Sequence, residues 1–564
     1  MRSDQTAASL AAGTALPEHS AAKRSGASLY QIVVAASLGS CFEAYDLFLV
    51  GTMAAVIGKQ FFSGVNPALS LIFTLLGFAA GFLVRPLGAM VFGGIGDRLG
   101  RKRVFVVTVA LMGLATVLIG LLPTYATVGV LAPVMFVGLR LVQGFALGGE
   151  NGGAMVYVAE HVPANRRAFY TSWLQIAPIA GLILSQLVVQ GTRSTFGEAA
   201  FLGWAWRVPF VLSLVLLALS LWMRTRMGES PEFERLRNEH QVSRAPLREA
   251  FTGRRNIVAM ICSLFALGPG AAATFYSAFF YTPFFLTEVL RVEPATANLL
   301  SMLSLVMAVP IFLAFGVLSD KIERKTVICT GFILVVLCYP AIYRGLTHFA
   351  NPALERAIET APVVVVADPH ECSTQFNALG TSKFHTSCDL AKSALVRAGI
   401  SYTNEIASAG AGAIIRVGDK VVASYDGSAP DAAVKAKAFA ASLRGALDSA
   451  GYPQKAPPHG VNRPMVFLLL VALATCAAMT YAPLAAAMTE LFPARIRFTA
   501  LSLSYHIGFG WTGGFLPAAA FAIVAANGNM YAGLAYPRLA ALIGAILVVA
   551  FMLAARTGRL KHET

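Results

Sequence analysis

A charged, glycine-rich turn, GGIGDRLGRKRV at residues 93–104, interrupts a strongly apolar chain. It contains one acid, four bases and four glycines, and it follows directly on an apolar run. A second charged turn, GVLSDKIERKT, occupies residues 316–326, and Asp97 aligns with Asp320 at an offset of 223 residues. Since each turn follows the second apolar segment of a six-segment half, the sequence indicates an internal duplication.

The composition is that of an integral membrane protein. Of the 564 residues, 56% are hydrophobic and only 13% are charged, and the mean hydropathy is +0.65, which lies outside the range of soluble chains. Twelve apolar segments reach about 20 residues, the length that crosses a bilayer core. They begin near Tyr30, Leu69, Val104, Leu131, Ala168, Trp204, Ile257, Ala295, Val327, Pro464, Phe498 and Tyr531. Segments this long predict an all-α fold and exclude the short alternating strands of a barrel.

The distribution of Lys and Arg predicts the orientation. These residues crowd alternate connections and the C-terminal tail, at 101–103, 166–167, 224–255, 321–325, 495–497 and 556–561. By the positive-inside rule those parts face the cytoplasm, and an even number of spans places both termini there. Residues 1–29 lack an apolar core followed by a small-residue cleavage site, so the run after Tyr30 is predicted to be an uncleaved first span.

These positions define the expected organisation. A cytoplasmic tail covers 1–29, a six-helix bundle 30–224, a cytoplasmic loop 225–255, helices seven to nine 256–349, an extracytoplasmic insert 350–460, helices ten to twelve 461–556 and a cytoplasmic tail 557–564. The net charge of +15 follows from the basic cytoplasmic connections and does not indicate nucleic-acid binding. We expect a multi-pass protein of a bacterial inner membrane.

The insert at 350–460 has the pattern of a small α+β module. PVVVVAD at 362–368 predicts a buried strand, and AIIRVGDKVVASYDG at 413–427 predicts two strands about a glycine turn. Residues 431–451 predict a closing amphipathic helix. Cys372 and Cys388 lie in a compartment that is oxidising on this orientation, which favours a structural disulfide over a redox or metal role.

The first charged turn resembles the loop between the second and third spans of the major facilitator superfamily, through Gly93, Asp97, Arg98, Gly100 and Arg101. Other stretches resemble the metabolite:proton symporter branch of that family. They are FEAYDLFLVGT (42–52), RLVQGFALGGENGGAMVYVAEHVPANRRAFYTSW (140–173), ESPEF (229–233) and TELFPARIRFTALSLSYHIGFG (489–510). The resemblance implies two six-helix halves and a carrier of a metabolite such as α-ketoglutarate, citrate, shikimate, proline or betaine.

The two charged turns predict gates at the cytoplasmic surface. An acid and several bases there can pair with neighbouring helix ends in one state and separate in the other. The expected gating residues are Gly93, Asp97, Arg98, Gly100, Arg101, Glu150, Asp320 and Arg324. Glu323 stands where the first turn has Gly100, so the second gate is expected to be the weaker one.

Two carboxylates of the first span, Asp46 and Glu43, are the predicted proton-coupling groups. They lie three residues apart and therefore on one face of the helix. A charge at the bilayer centre costs at least about 2.5–3.5 kcal/mol and is retained only where it pairs or functions. Crowding of the two acids favours protonation of one of them, which suits a proton carrier. The alternative is that one of them caps or pairs with a neighbouring helix.

Buried polar groups of other spans are the predicted substrate ligands. Arg140 recurs with Gly144 and Gly148 at a spacing of four residues, so that the glycines admit a neighbouring helix. A guanidinium can hold a carboxylate with two parallel hydrogen bonds, and the expected partner of Arg140 is an anionic substrate or a coupling carboxylate. The complete predicted set is Arg140, Gln143, Arg85, Gln175, Tyr276 and His506.

The sequence contains neither a phosphate-binding G-x-x-x-x-G-K-[ST] nor an H-E-x-x-H metal motif. An ion gradient is therefore the expected energy source, without a cofactor, a metal or an enzymatic activity. We expect a monomer in lipid that imports a small organic acid, such as a di- or tricarboxylate, together with protons by alternating access. The alternatives are symport of a zwitterionic osmolyte such as betaine or proline, and a membrane-anchored sensor whose insert binds the ligand.

Overall fold

The computed structural model describes residues 29–63, 67–373 and 385–556, and these are helical apart from one small sheet. The first half contains six long helices, here called spans 1 to 6. They are Leu29–Thr52, Pro67–Leu99, Arg101–Leu121, Leu131–His161, Arg167–Gly203 and Val208–Arg226. Shorter helices in the connections are Ala54–Phe61, Tyr125–Val128, Ala164–Arg166, Ala205–Arg207, Pro231–Asn238 and Pro246–Ala250.

The second half contains spans 7 to 12, of which two are built from α- and π-helical segments in succession. Span 7 consists of Arg254–Ile261, Cys262–Leu267, Gly268–Tyr276, Ser277–Tyr281, Thr282–Phe284 and Phe285–Val289. Spans 8 and 9 are Pro294–Lys321 and Arg324–Ala350, and span 10 is Arg463–Tyr481 followed by Leu484–Thr489. Span 11 consists of Arg497–Tyr505, His506–Trp511, Thr512–Gly514 and Leu516–Asn527, and span 12 is Ala535–Arg556 after the turn Ala532–Leu534. Because π-helical turns are frequent at functional sites, spans 7 and 11 are of particular interest.

The all-helical prediction for the membrane part is confirmed. In the described part of the chain, ten helices are long and apolar enough to cross a membrane. Span 2, a helix of 33 residues, and span 11, in four segments, complete the twelve predicted segments.

The two halves meet along two seams, span 2 against span 11 and span 5 against span 8. Within the first half, span 2 packs closely on span 4, where a side chain at Gly144 would overlap the backbone of Gly81 and one at Gly148 would overlap the backbone of Arg85. Glycine is needed at both positions because the two backbones touch, as the four-residue spacing predicted.

The insert forms the predicted α+β module. Its elements are the helix Pro352–Thr360, strand β1 Val363–Ala367, the turn Pro369–Glu371, a crossover helix Ser387–Arg397, strands β2 Thr403–Ile406, β3 Ile414–Val417 and β4 Lys420–Ala423, and a closing helix Ala432–Ser449. The sheet order is β2-β1-β3-β4, with β1 parallel to β2 and antiparallel to β3. Val365 pairs with Ile415 in the buried centre of the sheet.

The insert is anchored to the second half. The backbone N–H of Tyr402 donates to the Gly528 carbonyl at 2.8 Å, and the Met530 N–H donates to Ser401 Oγ at 2.9 Å. Arg291, after span 7, donates to the Pro453 carbonyl at 2.5 Å. The hydrophobic core of the insert is continuous with that of the second half, so the two form one packed unit.

Candidate functional site

A central cavity lies between the two halves and is lined by spans 1, 2, 4, 5, 7, 10 and 11. The cavity volume available to water is about 50 Å³, which accommodates a few water molecules. Its charged lining residues are Glu43 and Arg85. Gln175 and Tyr276, both predicted substrate ligands, also line it.

Arg85 is the cation of this cavity. Its side chain is buried, and the guanidinium carbon lies 3.6 Å from the centre of the Phe82 ring. Tyr276 lies within electrostatic range of it. Among the described residues, Nε and Nη2 of Arg85 have no hydrogen-bond partner. Unsatisfied donors of a buried cation are costly, so this guanidinium is available for an anionic group of a ligand.

An aromatic wall faces the cavity from spans 7, 10 and 11. Phe509 stacks on Tyr505 with ring centres 4.8 Å apart and on Tyr481 at 4.9 Å, and Phe275 lies 4.8 Å from Tyr481. The hydroxyls of Tyr481 and Tyr505 are 3.0 Å apart. Gln175 Nε2 donates to the Tyr481 carbonyl at 3.0 Å, which ties span 5 to this wall. Stacked aromatic faces of this kind attract cationic ligand groups.

Glu43 is held by a guanidinium that the sequence analysis did not select. Arg224 Nη2 donates to Glu43 Oε1 at 2.6 Å and forms a second ion pair with Glu150. Glu150 also accepts a hydrogen bond from Thr108 Oγ1 at 2.6 Å, and all three charged side chains are buried. Glu150, predicted to be a gating residue, therefore lies in an ionic triad inside the first half.

Arg224 was missed because it stands at the end of span 6 that is predicted to be cytoplasmic, in a run of basic residues that the positive-inside rule already explained. The available signal was its position within the last turn of an apolar helix, two residues before Arg226. A cation one half-turn inside a span can reach back toward the membrane interior.

Asp46 lies in a different network from Glu43, although the two residues share a helix face. Ser213 Oγ donates to Asp46 Oδ1 at 2.7 Å, and Thr116 lies within hydrogen-bonding range. Gln143 Nε2 donates to Thr116 Oγ1 at 2.7 Å, and Arg140 Nη1 donates to Gln143 Oε1 at 2.6 Å. No Lys, Arg or His nitrogen of the described residues lies within 4.0 Å of the Asp46 carboxylate.

Three of the predicted substrate ligands therefore lie outside the cavity lining. Arg140 and Gln143 form the buried chain that leads through Thr116 to Asp46. His506 is fully buried in span 11, beside the span 4 backbone at Leu147 and Gly148. Arg140 is thus linked to Asp46 through Gln143 and Thr116, and its expected partner, an anionic substrate or a coupling carboxylate, stays a prediction.

Asp97 joins the two halves on the side predicted to be cytoplasmic. Its carboxylate accepts hydrogen bonds from the Phe498 N–H at 3.3 Å, from the Thr499 N–H at 2.8 Å and from Thr499 Oγ1 at 2.7 Å. These donors form the first turn of span 11, so an acid of the first half caps a helix of the second half. A side chain at Gly93 would approach the Thr499 Cα to 2.8 Å, which explains the small residue there.

Asp320 makes the reciprocal contact. Its carboxylate accepts from the Ala168 N–H at 2.9 Å and from the Phe169 N–H at 2.8 Å, at the start of span 5. Arg324 lies 3.2 Å from Asp320 and 2.6 Å from Glu490. The Glu490 and Arg324 side chains are 35% and 18% exposed, whereas Asp97 and Arg101 are fully buried, so the second contact is the more solvated.

The remaining residues of the first charged turn divide into two groups. Arg101 is buried, pairs with Glu160 at 3.1 Å and donates to the Ala494 carbonyl at 3.3 Å, whereas Arg98 is exposed. Gly100 has φ +105° and closes the turn above Glu229, a conformation that favours glycine. Glu323, at the equivalent place in the second turn, has φ −54°, so that turn closes without a left-handed residue.

In the insert, Cys372 and Cys388 are joined by a disulfide with their Cα atoms 5.2 Å apart. The other five cysteines are free. Within the described ranges, no group of three or more His, Cys, Asp or Glu side chains is arranged to hold a metal ion.

The model of one protein family, the Major Facilitator Superfamily, matches residues 36–347. The chain belongs to this superfamily. A proline/betaine transporter of Salmonella typhimurium is 33% identical over 320 residues, which cover 56% of this chain and 64% of that protein. A shikimate transporter of Escherichia coli is 44% identical over 215 residues, covering 38% and 49% of the two chains. The matches thus span less than two thirds of these relatives.

Solved structures show the same fold. The proton:xylose symporter XylE bound to 6-bromo-6-deoxy-D-glucose superposes with a TM-score of 0.59 over 93% of this chain and 95% of that chain, at 14% identity. The partially occluded inward-open form of XylE from E. coli gives a TM-score of 0.54 over 93% and 97% of the two chains, at 14% identity. This superfamily member is thus a multi-pass membrane protein with the major facilitator fold, as its sequence predicted.

Proposed function

We propose that this transporter is a proton symporter of a small zwitterion, such as betaine or proline, and that it works by alternating access. The single observation that carries the proposal is the cavity lining, which combines the unsatisfied donors of Arg85 with a wall of aromatic rings, while its one acid, Glu43, is paired with Arg224. Relatives named as proline/betaine transporters support the same choice.

The two ends of a zwitterion match two parts of this lining. The unsatisfied donors of Arg85 suit a carboxylate. The faces of Tyr481, Tyr505 and Phe509 suit a substituted ammonium group. A di- or tricarboxylate was expected because several arginines are buried, but Arg140 lies outside the lining and Arg224 is neutralised by two acids.

Asp46 is the proposed proton carrier. A buried carboxylate that receives a hydroxyl hydrogen bond and, within the described residues, no ion pair is costly to ionise. Glu43, in contrast, is paired with Arg224, which it shares with Glu150. Protonation of Asp46 from the exterior removes the cost of the buried charge while the halves close around the substrate. When water reaches Asp46 from the other side, the Arg140–Gln143–Thr116 chain favours release of the proton.

The closed contacts of Asp97 and Asp320 define the state in which the cytoplasmic path is shut. Inward release requires both acids to leave the helix ends that they cap. On this proposal the charged turns face the cytoplasm of a bacterial cell, the insert lies outside the inner membrane, and one chain forms the complete path.

The test is uptake of labelled betaine and proline into cells or proteoliposomes, measured against pH and with a protonophore. We expect uptake to rise with an inward proton gradient, and Asp46→Asn to abolish accumulation while it retains counterflow exchange. Arg85→Lys keeps the charge but loses the planar donor pair, and we expect it to lower uptake about tenfold or more. Arg237→Lys, at an exposed arginine, is the matched control. Accumulation that survives both the protonophore and Asp46→Asn would contradict the proposal.

A second candidate substrate is a monocarboxylate of the shikimate kind, which the 44% identity to a shikimate transporter favours. Such a ligand uses Arg85 in the same way but has no cationic group for the aromatic wall. Tyr505→Leu therefore separates the two. We expect it to impair uptake of a betaine severely, because cation–π attraction of about 2 kcal/mol is lost, and to affect a monocarboxylate much less.

A further inference from the structure

The disulfide of the insert lies at the edge of its sheet where β1 ends. Cys372 follows β1 by five residues, and Cys388 is the second residue of the crossover helix that leads to the parallel strand β2. The carboxyl ends of parallel strands, together with the following helix N-terminus, form the usual reactive edge of such a unit. We propose that the insert is a thiol–disulfide exchange module, whose Cys372–Cys388 bond oxidises a dithiol of an extracytoplasmic partner protein.

The two sulfurs differ in access. Cys388 is fully buried, whereas Cys372 is partly exposed. Because exchange requires an incoming thiolate to reach a sulfur along the direction of the bond, the partner attacks Cys372. Cys388 is then the leaving group.

The helix position of Cys388 favours a leaving thiolate and offsets the burial of its sulfur, which disfavours one. It lies in the first turn of a helix capped by Thr386, whose Oγ1 accepts from the Asp389 N–H at 3.2 Å. A helix N-terminus and a nearby cation both favour a cysteine thiolate, and Lys392 stands one turn further on the same helix. The Asp389 carboxylate, the opposing charge, accepts from the Ser373 N–H and Oγ at 2.8 and 2.7 Å.

Those last two bonds also make the disulfide dispensable for the fold. They fix the residue after Cys372 to the crossover helix whether the sulfurs are joined or not. Val365, Leu395 and Ile415 are fully buried, in a hydrophobic core that continues into the second half. A module of this size with such a core does not need a disulfide to fold, and this one is free to open.

The reaction balances with the dithiol as the only co-reactant. A partner thiolate attacks Cys372 Sγ, the bond to Cys388 breaks, and the electron pair leaves on Cys388 Sγ, which takes up a proton. The second partner thiol then attacks the partner sulfur of the mixed disulfide and releases the Cys372 thiolate, which is protonated. Two electrons and two protons pass to the insert, and the partner gains a disulfide.

The test uses the full chain in lipid nanodiscs, without denaturant, and is independent of the transport activity. The protein is incubated with dithiothreitol or with a reduced thioredoxin-class protein, quenched in acid, and alkylated in denaturant with a polymer-linked maleimide. The oxidised chain carries five labels and the reduced chain seven, since five of its seven cysteines are free. We expect conversion from five to seven within minutes, with the circular dichroism spectrum unchanged.

Variants distinguish the roles of the two sulfurs. Cys388→Ser is expected to form a stable mixed disulfide with glutathione at Cys372, and Cys372→Ser to form none at the buried Cys388. Lys392→Gln is expected to slow reduction several-fold, whereas Lys435→Gln, on the exposed part of the closing helix, leaves the rate unchanged. The proposal is overturned if the bond resists both dithiols until denaturant is added, or if its reduction unfolds the insert.

Discussion

Asparagine at position 97 tests whether the carboxylate caps hold the cytoplasmic side shut. The Asp97 carboxylate accepts three hydrogen bonds from the first turn of span 11 and lies 3.8 Å from Arg101. An amide retains one acceptor oxygen, so it loses at least one of these bonds and the charge that strengthens the others. Since a hydrogen bond to a buried charge contributes about 1.5–3 kcal/mol, we expect the closed state to lose about 2–3 kcal/mol.

That loss corresponds to a shift of about 30- to 150-fold toward the state open to the cytoplasm. The matched variant is Asp320→Asn. Its carboxylate accepts two backbone bonds and pairs with Arg324, which is partly exposed. A solvated ion pair contributes about 0–1 kcal/mol, and the amide also loses one of the two backbone bonds. At this more solvated site we expect a total loss of about 1–1.5 kcal/mol, which is a shift of about five- to twelvefold.

The assay is the rate at which a membrane-impermeant maleimide labels a cysteine at the cavity residue Asn151 in inside-out vesicles. In the starting protein for this assay, the five free cysteines are replaced by alanine so that the maleimide can label only the introduced cysteine. All five are buried or partly buried. We expect labelling to accelerate by the factors given above, with Asp97→Asn well ahead of Asp320→Asn. Equal rates in the wild type and Asp97→Asn, or a larger effect at position 320, would refute the reasoning.

Three further changes have expected outcomes. Arg224→Met leaves two buried acids without a cation and should destabilise the protein by about 3–5 kcal/mol, measured as a lower Tm. Adding Glu43→Gln and Glu150→Gln to this variant should restore most of the lost stability. Gly100→Ala forces a side chain into a positive-φ position and should lower Tm by several degrees. The N–H groups of His370 and Gly410 lower the pKa of Asp368 from its ordinary value. The contribution of Asp368 to the stability of the insert is therefore present above the unfolded pKa and is lost as the pH falls through the folded pKa. Asp368→Asn should flatten the acid limb of a Tm–pH curve.

The membrane architecture could be predicted because hydropathy and the placement of bases both follow from the bilayer. The charged turn at 93–104 predicted a contact with a neighbouring helix end, and Asp97 accepts from the first turn of span 11, but the sequence did not predict which helix that would be. Strand β2 was not predicted, because all four of its residues are exposed and it therefore lacks the apolar alternation that signals a strand.

The partner of each buried acid could not be predicted from the spacing of the residues in the sequence. Glu43 and Asp46 share a helix face, yet Arg224 reaches one and Ser213 the other, and which neighbour stands opposite each residue is decided by the packing of span 6. The same limit explains why Arg140 was expected in the cavity. Its helix position was correct, but its guanidinium donates to Gln143, which donates in turn to Thr116 of span 3, and neither of these residues lines the cavity.

The anchoring of the insert to Gly528, Met530 and Arg291 gives the second half an external marker. A fluorophore on the exposed closing helix moves with that half, while a second dye near Arg193 moves with the first. Energy transfer between the two dyes would follow the rocking of single molecules in real time, without any label inside the permeation path.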